Sequence, residues 1–374
     1  MSHIHICLVS DQPIPNLTSA IQFRPDTVLL LFTDDFKAKK DRLKAVLKNH
    51  RIHVEERTIL PYDLQNVIQV CESVLADFTD AELSLNITGG TKISTLGAFQ
   101  VFYSADKPIW YVNSRDHEIV QVSPQSINLP ITAKIGIKEY LAAYGFNLTG
   151  YQKDDEPIMK RRSISKYLAD LAVNKDWAIG KLNSAMSDTK GLRLPCTVKL
   201  PDLPEMQELA TLLEQAGLVC NNADSISIAD ATIVDYLRGF WFEEYVYSIA
   251  KGIGADEVRL NVTGTWDAAV KRPPANEFDV MIAKGTQLAI ISCKTANPNR
   301  TKYGENEGVG KEYLYELDSL SDNALGLFGK RMIASARPLT DNYVRDRAGV
   351  LRIELVDGRN ILKLKDKLQT WLNR

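Results

Sequence analysis

Near-continuous apolar strands alternating with amphipathic helices fill the first 125 residues. "HIHICLVS" and "TVLLLFT" (residues 27–33) are strand signals, the second apolar at nearly every position. A strand with apolar side chains on both sides must be covered on both faces, which is the condition of a parallel sheet flanked by helices. "DDFKAKKDRLKAVLKNH" is a helix with an acidic start and a basic end, as the macrodipole favours. "HVEERTIL" reads as a strand, "LQNVIQVCESVLADF" as a helix, "ELSLNIT" and "PIWYVNS" as further strands, and "EIVQVSP" closes a hairpin. Ligands of such sheets sit beyond the carboxyl ends of the strands. Three segments end there, "VSDQPIPN" (9–16), "NITGGTK" (86–92) and "YVNSRD" (111–116), and they are expected to converge on one rim.

The middle segment is the most informative. It runs from a strand into "KISTLGAFQVFYSA", which has helical apolar spacing. A helix start has unpaired backbone N–H groups and a positive dipole end. Gly89 and Gly90 let a ligand approach the backbone, Thr88 and Thr91 offer hydroxyls, and Lys92 adds a charge. That is the chemistry of a phosphate cradle. The same residues also make an ordinary turn with a threonine cap. The spacing matches neither G-x-x-x-x-G-K-[ST] nor G-x-G-x-x-G, so ATP and NAD sites are not supported.

A length of 374 residues predicts two or three domains, and a net charge of −2 means that nucleic-acid binding would need a local patch. The five cysteines, Cys7, Cys71, Cys196, Cys220 and Cys293, have no paired spacing, which argues for a reducing cytoplasm and against zinc. No signal peptide and no apolar run of membrane-spanning length is present, so a cytoplasmic protein without membrane contact is expected. Residues 133–230 read as a helical region: "SISKYLADLAVN" and "PEMQELATLLEQAG" are helices, and "LVCNNADSISIAD" is a hairpin turning at residues 221–224. Helices followed by a hairpin resemble a winged helix. "KRR" at 160–162 is either a phosphate contact or a solvated face.

The last third opens with the aromatic helix "YLRGFWFEEYVYSIAKGIG", stopped by Gly252 and Gly254. "NEFDVMIAKGTQLAIISCKT" is a hairpin, with strands at 278–283 and 287–294 around a turn at 284–286. Asp279 near the start of one strand and Lys294 at the end of the other are neighbours in an antiparallel pair. Carboxylates there suit Mg²⁺ or Mn²⁺, and a nearby lysine can orient water and stabilise charge on a phosphate. Glu243 or Glu244 supplies another carboxylate from the preceding helix. Asp279 and Lys294 read equally as a cross-strand ion pair. A polar loop, "NPNRTKYGENEGVGKE", follows.

"NITGGTK" resembles the signature of the CRISPR-associated Rossmann-fold (CARF) domains, sensors of cyclic oligoadenylates, and "VSDQPIPN" resembles their first ligand loop. "GFWFEEYV", "NEFDV" and "SCKT" together resemble the PD-(D/E)xK nuclease pattern. The order is similar to that of the CARF–nuclease fusions, ancillary nucleases of type III CRISPR systems. The resemblance implies an α/β protein: a Rossmann-like CARF domain at 1–132, a helical, winged-helix-like region at 133–230 and a restriction-endonuclease-like α/β domain at 231–374. It implies ligand contacts at Asn86, Thr88, Gly89, Gly90, Thr91 and Lys92, with Ser10, Asp11, Gln12 and Asn113 less closely matched. It assigns Glu243, with Glu244 as its rival, and Asp279 to a Mg²⁺ or Mn²⁺ ion, and Lys294 to catalysis. One position departs. The family's acid two residues before the lysine is Ser292 here. Either Glu277 compensates, or the site is weakened, or the residue was changed; the Cys293 carbonyl remains available as a ligand.

The expected function is a homodimeric endonuclease, activated by a cyclic oligoadenylate of four units and cleaving DNA and/or RNA. A ligand-responsive transcription regulator with a degenerate nuclease domain is the alternative, and Ser292 is its best support. A ring-opening sensor ranks third, since no acid/base pair stands beside the glycines.

Overall fold

The computed structural model describes residues 1–189, 193–267, 274–300, 309–326 and 329–373. Residues 301–308 of the polar loop lie outside that set. The first sheet is built from β1 (His3–Leu8), α1 (Ile14–Phe23), β2 (Thr27–Phe32), α2 (Lys37–Asn49), β3 (His53–Thr58), α3 (Leu64–Asp77), β4 (Glu82–Asn86), α4 (Lys92–Ser104), β5 (Ile109–Asn113), β6 (Glu118–Ser123) and β7 (Ile127–Pro130). Its strand order is β3-β2-β1-β4-β5-β6-β7. The first five of these are parallel, and β6 and β7 are added antiparallel, so the sheet is mixed. The alternation that predicted a parallel sheet stops where the crossover helices stop. Segment 9–16 is not all loop either, because its last three residues start α1. Pro15 fits there, in a first turn whose N–H groups have no intrahelical partner.

Between the two sheets come α5 (Ile137–Tyr144), β8 (Phe146–Gly150), α6 (Glu156–Asn174), α7 (Asp176–Ser187), β9 (Cys196–Lys199), α8 (Pro204–Gln215), β10 (Cys220–Asn221) and β11 (Ser225–Ile228). The hairpin expected at 220–228 forms, and β9 extends it to three strands. "KRR" splits: Lys160 and Arg162 face solvent while Arg161 is buried.

The last part contains α9 (Ala231–Asp235), α10 (Trp241–Lys251), β12 (Glu257–Trp266), β13 (Ala275–Lys284), β14 (Gln287–Lys294), α11 (Gly310–Leu325), β15 (Lys330–Ser335), α12 (Asn342–Val350), β16 (Ile353–Asp357) and α13 (Leu364–Leu372). The sheet order is β16-β15-β14-β13-β12-β8. Its edge strand β8 therefore comes from inside the segment read as a helical region, through its pairing with β12.

Three apolar cores hold this together. One lies under α3 and α4 on the sensor sheet, with Val67, Cys71, Ala98 and Phe102. A second packs α6 and α13 with α10 against the last sheet, around Trp241, Phe242, Leu168 and Leu368. The third is shared, joining Leu17, Leu30 and Leu43 of the first sheet's layer to Tyr140 and Leu141 of α5 and to Ile290, Leu314 and Leu317 of the last. The two sheets are thus tied by common burial rather than by a tether. Among the described residues, no helix is long and apolar enough to cross a membrane.

Candidate functional sites at two strand ends

At the first rim, β1, β4 and β5 are adjacent and parallel, so the three predicted segments do meet. Asn86 ends β4 and is wholly buried. Its Nδ2 donates to Asn16 Oδ1 and Ser19 Oγ, each at 3.0 Å. Its Oδ1 accepts from the Thr88 N–H at 3.0 Å and the Thr88 hydroxyl at 2.6 Å. Thr88 Oγ1 in turn accepts from the Val112 N–H at 2.7 Å. The expectation that Asn86 lines the rim is therefore corrected: it stands behind the surface and laces α1, β4 and β5 together. Thr91 caps α4, accepting from the Ser94 N–H at 3.1 Å and donating to the Pro61 carbonyl at 2.8 Å. Gly89 is required by packing, since a Cβ there would strike the Leu8 carbonyl. Gly90 has φ +84°, a left-handed conformation that side chains disfavour.

Gly90 and Lys92 are exposed at the start of α4, with Asp11 exposed on the neighbouring loop. Ser10 Oγ accepts from the Gln12 N–H at 3.2 Å, and Asp11 pairs with Lys39. Asn113 donates to Asp116 Oδ2 at 2.8 Å, shaping its own turn. Gln12 faces the other half of the molecule: its Oε1 accepts from Tyr144 Oη at 3.0 Å. Gly326, at the end of α11, is packed so closely on these two side chains that a Cβ would collide with both. Beneath the rim, His5 contacts Ser84 Oγ at 2.8 Å and Ser19 Oγ at 3.0 Å. Burial, with a smaller contribution from His3, pushes the His5 pKa down to about 3.

The second site forms where β13 and β14 part. Their pairing runs from Lys284–Gln287 to Val280–Ile291 and stops. At the next step the Asp279 side chain, not the backbone, takes the Cys293 N–H at 2.6 Å, and Ser292 Oγ donates to the same Oδ2 at 3.3 Å. On the other side, β12–β13 pairing skips from Leu260–Val280 to Val262–Phe278, and the intervening Asn261 has φ 52°. Regular alternation would put Phe278 and Val280 on one face, but they enter different cores. The break in the ladder falls opposite Asp279, with the β12–β13 register unchanged across it.

Glu243 reaches the same point from α10. Burial first, then the charges of Asp279 and Glu277, push its pKa up to about 9. Burial likewise raises Asp279, against the pull of the Cys293 N–H and Lys294. Glu244 points the other way, into a buried ion pair with Arg161 of α6 whose Nε bond measures 3.1 Å. The geometry thus separates the two adjacent glutamates. Lys294 donates to Glu316 Oε2 at 2.9 Å and lies 5.0 Å from the Tyr313 ring centroid. Burial lowers the Lys294 pKa, but Glu316, Asp279 and Tyr313 together outweigh it and the pKa ends raised. Glu277 is exposed near the open end of β13.

Glu243 and Asp279 are hard oxygen donors that repel one another, a set suited to a divalent cation. Among the described residues, no three His, Cys, Asp or Glu side chains converge closely enough to hold a metal. A bound ion would therefore need a further donor, for which the Cys293 carbonyl remains the candidate named above. Glu316 was missed by sequence reading. It is one acid on a polar helix face, and its only signal is the helical spacing from Tyr313.

A glycine turn at a helix start on one sheet shares a core with a second sheet, whose opened end brings Asp279 and Lys294 to Glu243 of α10: the layout of a sensor joined to a nuclease. Residues 4–140 match the family model of the Card1 CARF domain, and residues 230–374 match that of the Card1-like endonuclease domain. The chain belongs to the CARF–nuclease fusions, the ancillary nucleases of type III CRISPR systems. It is similar to Can2 from Sulfobacillus thermosulfidooxidans, solved in complex with cyclic tetra-adenylate, at 26% identity over 100% of both chains with a TM-score of 0.81. The fold is also that of protein VC1899 from Vibrio cholerae, at 21% identity over 99% of this chain and 98% of that one, TM-score 0.88. A type III CRISPR defence DNA nuclease activated by cyclic oligoadenylate matches at 15% identity over 91% of this chain and 47% of that one, TM-score 0.56. Among the curated proteins, none matches.

Proposed function

We propose that this nuclease is switched on by a cyclic oligoadenylate at the glycine rim, works as a homodimer, and cleaves DNA and/or RNA in type III CRISPR antiviral defence with Mg²⁺ or Mn²⁺. The observation that carries the reading is the opened end of the β13–β14 hairpin, where Asp279, Glu243 and Lys294 meet from three elements. Can2 with its bound cyclic tetra-adenylate supports a ring of four units. A two-fold symmetric ring is best matched by two equal rims about a dyad. The start of α4, with Gly90 and Lys92 exposed, would face its phosphates.

At the cutting site, Asp279 and Glu243 would hold the cation with the Cys293 carbonyl. The cation, when bound, activates water and neutralises phosphate charge. Lys294 offers its ammonium to the scissile phosphate, and the Cys293 N–H and Ser292 hydroxyl fix the Asp279 carboxylate. The alternative, a regulator with a degenerate nuclease domain, draws on Ser292 and on the lack, among the described residues, of three converging ligand side chains. One assay separates them: supercoiled DNA, single-stranded DNA and RNA are each incubated with the protein, Mn²⁺ and a panel of cyclic oligoadenylates. Ring-dependent cutting that stops on chelation is expected; no cutting with any ring would sink the nuclease reading.

A further inference from the structure

Side chains two apart on a strand share a face, so Ser292 and Lys294 project from the same side of β14. The acid that the nuclease pattern places at 292 is absent, and Ser292 turns to Asp279 Oδ2 at 3.3 Å. On that face the carboxylate beside the lysine comes from another element. Glu316 of α11 accepts from Lys294 Nζ at 2.9 Å. Tyr313, three residues earlier, lies on the same side of the helix, with its ring 5.0 Å from the ammonium. This is no ordinary surface pair, since the Lys294 side chain is 19% exposed against 54% for Glu316. Fully exposed pairs contribute about 0–1 kcal/mol because both partners stay solvated. A lysine stripped of most of its water depends far more on the charge next to it.

The geometry points to Glu316 as a positioning residue of the cutting site. From α11 it fixes the Lys294 ammonium with a carboxylate that the lysine's own strand does not supply. This rests on the reading of Lys294 as the group that faces the scissile phosphate. Without Glu316, the ammonium is free to swing off the ring and away from the phosphate.

The test uses Glu316→Gln, Ser292→Glu and Lys294→Ala in the full chain, each checked for an unchanged melting temperature. Glu316→Gln is expected to slow single-turnover cleavage about 10–100-fold with little change in KM. In the Lys294→Ala background it should cost nothing more, as two residues acting through one group are not additive. Ser292→Glu should recover most of the loss in the Glu316→Gln chain by restoring a carboxylate on the lysine's own face. A second readout needs no activity: acylation of Lys294 by an N-hydroxysuccinimide ester, followed by mass spectrometry, should quicken several-fold in Glu316→Gln and slow again with Ser292→Glu added. Additive losses or an unchanged acylation rate overturn the assignment. So does a fall in Mn²⁺ affinity by calorimetry in Glu316→Gln, which would make Glu316 a cation ligand instead. If the unmodified chain cuts nothing with any ring, the nuclease reading fails, while the acylation rate still decides the role of Glu316.

Discussion

In and behind the sensor rim, Thr88, Thr91 and the buried Asn86 spend their polar atoms on the protein itself. At the candidate cutting site, Glu243 and Asp279 are both harder to ionise, first because they are buried, then because Asp279 and Glu277 lie near Glu243, and Glu277 and Glu316 near Asp279. The rim's polar atoms are paired within the protein, whereas the carboxyl groups of Glu243 and Asp279 are buried and hard to ionise. Substitutions in the two places should therefore differ in kind. Those in the hydrogen-bonded lacing behind the rim should cost stability, and those among the acids should cost chemistry while leaving the fold intact.

The largest effect is expected at the hairpin. Asp279→Ala should lower ring-dependent cleavage by about 10³-fold and weaken Mn²⁺ binding, and Lys294→Ala should lower cleavage by about 10²–10³-fold with Mn²⁺ affinity kept. Calorimetry beside a cleavage assay checks both, and ring affinity should not move. Were both variants to cut at full rate, the chemistry would lie elsewhere.

The adjacent glutamates give the next contrast. Glu243→Gln should abolish most cutting and leave the melting temperature near neutral pH unchanged, since burial already holds this carboxyl hard to ionise. Glu244→Ala should instead destabilise the fold by about 3–5 kcal/mol, because it strands Arg161 without its buried partner. Thermal melts of the two variants decide this; equal melting points would undo the division of roles.

At the rim, Lys92→Ala should abolish ring binding in a titration with cyclic tetra-adenylate and leave the melt unchanged. Gly90→Val should also abolish it, at a strain cost of about 1–3 kcal/mol from the left-handed φ. Asn86→Ala should cost about 1–3 kcal/mol of stability by leaving buried partners unpaired. A melt as high as that of the unmodified protein would show that the lacing is slack.

The last effect concerns pH. His5 has its pKa depressed in the fold, so its contribution to stability is complete above its unfolded value near 6.5 and is lost as pH falls toward about 3. In that window the unfolded chain binds the extra proton, at a slope of up to about 1.4 kcal/mol per pH unit. His5→Gln should flatten the acid limb of the denaturation curve between pH 6 and 4, by about that slope. An unaltered limb would mean that other groups govern it.

Periodicity located β1 to β5: β2 as an apolar run, β3 and β4 as shorter mixed stretches between helix signals. It left α1 hidden, since "PIPN" reads as loop until the first-turn proline is weighed as a helix start. β8 escaped because five residues carry little local signal, and its place depends on β12, more than a hundred residues away. The acids and the lysine of the candidate cutting site were legible as residue types. The orientation of Glu244 was not, since its partner Arg161 lies 83 positions earlier. Nor was the break at Asn261, which belongs to the pairing of two strands rather than to either one.

The helix α11 has 16 residues and so spans about 24 Å. Near one end it presents Tyr313 and Glu316 to Lys294; at the other, Gly326 is wedged against Gln12 of the sensor loop and Tyr144. A rigid element touching both sites cannot carry a message in one direction only. If ring binding changes substrate affinity through it, bound nucleic acid must change ring affinity by the same factor, as thermodynamic reciprocity demands. The target would then help to set how long the alarm stays on.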